Sequence, residues 1–259
     1  MKSIQSKTIF FITGAFVGHN CWEQWIEYFE MRGYTCIVRP WPYKDAAVAT
    51  LKDRHPDKKV ASIRLGELTD YFAGLVSDLP EKPILIGHSI GGLMVQLLLQ
   101  RDLAVAGVAI HPVAPKGVIA FSWSMLRSVW GPLGFFTPLE DTYMMPLKSW
   151  RYIFTNGMSG SDQAATYDKY AIPESKYVSR DGLTDAAKID FSRPHVPLLI
   201  TSGNIDHIVP AALNFANYKK YKNAGSITDY KEFKGRNHFV LGQQTWKADA
   251  DYILEWLQN

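Results

Sequence analysis

Cysteine is scarce in this chain: Cys21 and Cys36 are the only two in 259 residues. Two cysteines make no disulfide framework and neither sits in a metal-ligand spacing, which points to a reducing compartment. Cys36 lies in an apolar strand-like run and reads as a small buried hydrophobe. Long apolar runs are missing too. No segment approaches the roughly 18–20 apolar residues of a membrane helix, so no membrane span is expected. Lys2 and Lys7 ahead of Ile9-Phe10-Phe11-Ile12 have the look of a secretory leader. That run is short, breaks at Thr13-Gly14 and lacks a clean cleavage site, so it reads as a first core strand in a cytoplasmic protein. Clusters of Lys and Arg, and basic–aromatic ladders, are absent. With a formal net charge of only +3, nucleic acid is not an expected partner. There is no His-Glu-x-x-His and no phosphate-binding glycine loop, and Gly14 and Gly18 lack the dinucleotide fingerprint; neither metal nor cofactor is implied. Repeats, low-complexity tracts and Gly/Ser linkers are also absent.

What is present is an alternation of short β-branched or aromatic runs with amphipathic stretches, the pattern of a parallel sheet covered on both faces. Strands are expected at Thr8–Thr13, Thr35–Arg39, Ile84–Gly87, Gly107–His111, Leu198–Ser202 and Thr228–Phe233. Helices are expected at Trp22–Met31, Ile63–Ser77, Ile90–Arg101, Ala211–Lys222 and Trp246–Gln258. The alternation lapses over residues 114–186, a stretch rich in Trp, Phe, Met, Pro and Gly. Only Ser161–Tyr170 reads clearly as helix there, with Ser161 as its N-cap. This reading gives an α/β core over residues 1–113 and 187–259, interrupted by a mostly helical cap at 114–186.

Residues 87–92, Gly-His-Ser-Ile-Gly-Gly, carry the strongest chemical signal. A strand precedes them and a buried helix follows, the setting of a nucleophile elbow. Glycine flanks allow the strained turn that exposes the Ser89 hydroxyl. The helix starting at Ile90 presents unpaired N–H groups beside it. A serine hydroxyl needs a base, and the base needs an orienting acid. Two downstream segments qualify, each just beyond a strand's carboxyl end. One is Gly203-Asn204-Ile205-Asp206, which offers Asp206 as the acid, with Asp141 and Asp181 as alternatives. The other is Gly235-Arg236-Asn237-His238-Phe239, which offers His238 as the base.

The remaining six histidines each have a plainer reading. His55 and His195 look like surface or loop residues, and His207 precedes the final strand and breaks the expected order. His88 packs inside the elbow or lines the site, His111 ends a strand near the cap, and His19 sits where it can line the pocket. An oxyanion hole needs two fixed donors. The Ile90 amide is one; the other comes from Thr13-Gly14-Ala15-Phe16, with Ala15 favoured and Phe16 as alternative donor or pocket wall. Trp123, Trp130, Phe135, Met144 and Trp150 either roof an apolar pocket or glue the cap to the core.

With these motifs in order, the chain resembles the α/β-hydrolase superfamily, in particular its single-domain serine esterase and lipase-like members. Two departures stand out. Thr13 occupies the place of the usual His in the oxyanion loop, and Arg39-Pro40-Trp41-Pro42-Tyr43-Lys44-Asp45 replaces the Asp-x-Pro-Gly-x-Gly loop of relatives. The resemblance implies Ser–Asp–His hydrolysis of a small-molecule ester with an apolar acyl, aryl or lactone portion, without cofactor or metal. A lyase or C–C-bond hydrolase using the same triad, and a non-catalytic small-ligand receptor, remain alternatives because the fold hosts many chemistries. Ser89 at the elbow, where a dehalogenase or epoxide hydrolase needs Asp, disfavours those activities. The sequence leaves the oligomeric state open.

Overall fold

In the computed structural model, residues 4–120, 122–222 and 225–259 are described; Lys2 lies outside them. Six strands form one parallel sheet: β1 (Thr8–Ile12), β2 (Thr35–Val38), β3 (Ile84–His88), β4 (Ala106–Ile110), β5 (Leu198–Gly203) and β6 (Thr228–Phe233). Their order is β2-β1-β3-β4-β5-β6. Every residue of β3, β4 and β5 is buried, so helices cover both sheet faces, which is why these strands read as continuous apolar runs. The edge strands β2 and β6 are only partly covered. Cys36 therefore departs from expectation: it sits half-buried on edge strand β2, not in the core. Both cysteines are free.

Around the sheet run α1 (Glu23–Glu30), α2 (Val48–Asp53), α3 (Lys58–Ala61), α4 (Leu65–Ser77) and α5 (Ile90–Leu99). Four helices lie between β4 and β5: α6 (Trp123–Leu133), α7 (Leu147–Ile153), α8 (Gly160–Tyr170) and α9 (Lys176–Asp181). Then come α10 (Ala211–Lys220) and the closing α11 (Trp246–Gln258). The short α2 and α3 were not expected; α3 is set by Asp57, whose carboxylate accepts from the Lys59 and Val60 amides. Helix α5 is buried at every position, so it carries no amphipathic stripe. No described helix is long and apolar enough to cross a membrane.

The described residues of 114–186 contribute no strand to the sheet. Their helices are short, and α6 ends at Gly134 in a left-handed cap just after Pro132, which is why the sequence shows no sustained period there. One local expectation is corrected. Ser159, not Ser161, caps α8, accepting the Asp162 amide from an extended backbone, while Gly160 is already helical. Two isolated antiparallel bridges, Val17 with Ala171 and Tyr143 with Glu174, join this insertion to the core loop and to itself. The sheet's topology fixes where chemistry can occur. From β1 the chain passes to β2 on one side and then returns to β3 on the other, so the loops leaving β1 and β3 diverge and open a crevice at their carboxyl ends.

Candidate active site

Ser89 joins β3 to α5 with φ 57° and ψ −119°, a conformation that a side-chain-bearing residue holds only under constraint. The constraint is local. The Ser89 amide donates to the Ile110 carbonyl at 3.0 Å, and its own carbonyl accepts from Leu93 and Val113. Helix α5 passes so close to β1 that a Cβ on Gly91 would sit 2.1 Å from the Ile12 oxygen. Gly14, in the loop after β1, has the same role: its Cβ would fall 2.9 Å from the Ser89 Cβ. The β1 loop thus lies directly against the serine.

The Ser89 hydroxyl is 3.0 Å from His238 Nε2, and His238 Nδ1 is 2.7 Å from Asp206 Oδ2. Two loops bring these groups together, one beyond β5 and one beyond β6. Ser89 keeps 5% of its surface, Asp206 4% and His238 1%. The other Asp206 oxygen accepts the Ile208 and Val209 amides, at 3.0 and 2.8 Å. A second imidazole, His111, places Nδ1 3.2 Å from Oδ2. Burial opposes ionisation of Asp206, yet the imidazoles of His238 and His111 outweigh it and hold the carboxyl well below its ordinary range. The alternative acids lie elsewhere: Asp181 is clamped by the Arg64 guanidinium at 2.7 and 2.8 Å, and Asp141 is a partly buried loop residue.

His88 is fully buried, and its Nε2 lies 2.7 Å from the His238 carbonyl oxygen, with the rings 4.8 Å apart. Burial, reinforced by the neighbouring imidazoles, presses its basicity far below that of a free histidine, so it stays neutral and fixes the backbone of His238. His207 bonds the Tyr152 carbonyl, His195 the Val196 carbonyl and His55 the Thr142 hydroxyl, none of them in the Ser89 cluster. His19 begins the turn before α1 and borders a crevice behind the β1 loop, beside Trp41 and Lys44.

Within that loop Phe16 adopts φ 68°. Its amide donates to Glu174 Oε2 at 3.1 Å, which leaves Ala15 as the neighbouring loop amide beside Gly14. The Phe16 ring packs edge-on to Tyr143 and Phe154, and Phe154 in turn stands edge-on to His238 at 4.9 Å. Trp150 is completely buried and stacked on Phe154, 4.6 Å between centroids, so it acts as glue beneath the site. Met144 is half-buried against the core. Trp123, Trp130 and Phe135 are not drawn inward; they stand exposed on and after α6, with the Trp130 and Phe135 rings packed on each other at 5.5 Å. Sequence reasoning missed Phe154 and Glu174 as neighbours of the site. Neither belongs to a motif, and their partners lie far away along the chain.

A hydroxyl touching an imidazole that touches a buried carboxylate can pass a proton to that imidazole while its oxygen attacks an electrophile. His111, Asp206 and His238 also place three donor atoms within 4.8 Å of one another. Those atoms already hydrogen-bond to each other, however, so an ion could enter only by breaking the His238–Asp206 contact.

Comparison with known proteins agrees with this geometry. A family model described as the alpha/beta hydrolase family matches residues 9–249. No curated protein matches the sequence. Among solved structures, the monoacylglycerol lipase of Paleococcus ferrophilus superposes with TM-score 0.67 at 21% identity, covering 96% of this chain and 93% of that one. A methylesterase from Arabidopsis gives 0.68 at 16%, covering 96% and 98%. Tomato methylketone synthase I, complexed with 2-tridecanone, gives 0.70 at 15%, covering 97% of each chain. At these identities the likeness is one of fold. With the family model spanning nearly the whole sequence, and the parallel sheet and its elbow in place, the chain belongs to the alpha/beta hydrolase family.

Proposed function

We propose that the protein hydrolyses carboxylic esters through an acyl-enzyme on Ser89, with His238 as base and Asp206 as its orienting acid. The observation that carries this reading is the unbroken contact from Ser89 Oγ through His238 to Asp206, at 3.0 and 2.7 Å, among three buried residues. Ser89 Oγ bonds to the ester carbonyl carbon as its proton passes to His238 Nε2. Asp206 holds Nδ1–H and stabilises the imidazolium that forms. The amides of Ile90 and Ala15 receive the carbonyl oxygen as it becomes an oxyanion; removing one such donor costs roughly 2.7–4 kcal/mol of barrier stabilisation. The tetrahedral species then expels the alcohol oxygen, which takes the proton from His238. Water repeats the sequence on the acyl-serine, giving the carboxylic acid and free Ser89.

Residues 114–186 serve as a cap in this reading. Phe16, Tyr143 and Phe154 form an aromatic wall next to His238, which suits a small substrate with an apolar acyl, aryl or lactone portion. The test is a panel of p-nitrophenyl esters of rising chain length, together with lactones, on wild type and Ser89→Ala. Wild type should turn over at least one class, and Ser89→Ala should lose roughly 10⁴-fold or more in kcat with an unchanged Tm. Near-wild-type hydrolysis by Ser89→Ala would overturn the assignment.

A further inference from the structure

Two buried charges stand just outside the Ser89 cluster. Lys44 keeps 4% of its side-chain surface and Glu174 none, and the ammonium is in direct contact with Glu174 Oε2. The same oxygen accepts the Phe16 amide at 3.1 Å, while Oε1 accepts the amide of Ser175 at 2.9 Å. Lys44 lies 3.9 Å over the ring of Trp41, whose Nε1 donates to the Thr13 carbonyl at 3.1 Å. Trp22 Nε1 donates to the Thr13 hydroxyl at 3.2 Å. The backbone carbonyl of Phe16 accepts from Ile172 at 3.0 Å. The two residues on either side of Gly14-Ala15 are thus both pinned, Thr13 by indoles and Phe16 by the insertion.

A buried ion pair adds little net stability, because desolvation offsets the attraction, and an apolar pair of the same volume fills the space as well. What an apolar pair cannot supply is an acceptor for the Phe16 N–H. That acceptor matters because Phe16 sits at positive φ, a conformation costing on the order of 1–3 kcal/mol that must be held by its surroundings. We infer that the Lys44–Glu174 pair is a positioning device for the oxyanion hole: Glu174 takes up the Phe16 amide so that Ala15 presents its own to Ser89, and Lys44 balances the buried charge. Because Glu174 belongs to the insertion, whose backbone pairs with Tyr143 there, the insertion itself completes the hole. Neither residue touches the reacting atoms; both act through the loop.

The inference rests on the acyl-transfer reading, and the experiment separates the two. Wild type is compared with the double variants Lys44→Met/Glu174→Gln and Lys44→Met/Glu174→Leu. Both remove the charges, but only the first keeps an acceptor oxygen for the Phe16 amide. The glutamine double should stay within about 3-fold of wild type in kcat. The leucine double should lose roughly 10- to 100-fold in kcat with little change in KM. Its affinity for a trifluoromethyl ketone, which binds serine as a hemiketal oxyanion, should fall in parallel. Equal kcat in the two doubles, or a loss confined to KM, would overturn the inference. Should the leucine double not fold, Glu174→Asp retracts the carboxylate while keeping the charges balanced. It should lower kcat and not KM, and unchanged kcat would count against the inference. A wild type that neither hydrolyses any ester nor reacts with a fluorophosphonate ends the acyl-transfer reading itself.

Discussion

The insertion between β4 and β5 has two halves of similar aromatic content and opposite fates. In the outer half, Ile119 is 84% exposed, Trp123 78% and Phe136 97%. In the inner half, Met145, Trp150, Phe154 and Glu174 are all buried. The inner half is tied by hydrogen bonds to the loops around Ser89. The Phe154 carbonyl accepts the Phe239 amide at 2.9 Å, next to His238. Asn156 donates to the Ile205 carbonyl at 2.7 Å, next to Asp206, and its own carbonyl accepts from the Asn237 side chain at 3.0 Å. Glu174 reaches the loop beside Ser89. The inner half therefore braces the two loops that carry Asp206 and His238, and the β1 loop that lies against Ser89. An aromatic-rich insertion is not a roof by composition alone; the residues next to the site are those tied to the core by hydrogen bonds.

The sharpest way to break this contrast is Phe154→Ala. A fully buried ring that stacks on Trp150 and abuts His238 leaves a cavity, so the variant should lose about 3–5 kcal/mol of stability, read as a fall in denaturant midpoint. It should lose activity as well, since the His238 loop hangs from this segment. A near-wild-type midpoint would show that the inner half is not load-carrying.

Acid tests the same region. The folded state holds the Asp206 carboxyl below its ordinary value of 3.8. Its contribution to stability is therefore fully present above pH 3.8 and is lost as pH falls below it. The difference in Tm between wild type and Asp206→Asn should shrink as pH is lowered beneath that point. For the same reason, Asp206 should not set the acid limb of kcat/KM above pH 3.8. A Tm difference that fails to shrink in that acid range would contradict the inner-half account of this carboxylate.

The smallest effect belongs to the outer half. Trp130→Ser with Phe136→Ser removes two exposed rings without core partners, and stability should change by no more than about 0.5 kcal/mol. The same kcat is expected on short esters. A large loss of either would erase the distinction between the halves.

Sequence exposed those parts of the molecule whose signals are local. The elbow is six consecutive residues, the buried strands are short apolar runs, and Asp206 and His238 each follow a strand within a few positions. Topology then did the rest, closing a contact between residues 149 positions apart. The parts that stayed hidden depend on distant partners. Glu174 reaches Phe16 across 158 positions from a stretch without a motif. Phe154 is one aromatic among many until Phe239 selects it. His111 falls in line with Asp206 only because the backbone turns to φ 44° at the end of β4. Cys36 read as core because its run is apolar, whereas its burial is decided by which strand ends the sheet.

Covalent labelling tests the central claim most directly. Incubation with a fluorophosphonate, followed by peptide mass spectrometry, should yield a single phosphonyl adduct on Ser89, formed far more slowly in His238→Ala. An adduct on another residue, or equal labelling rates with and without the imidazole, would contradict it.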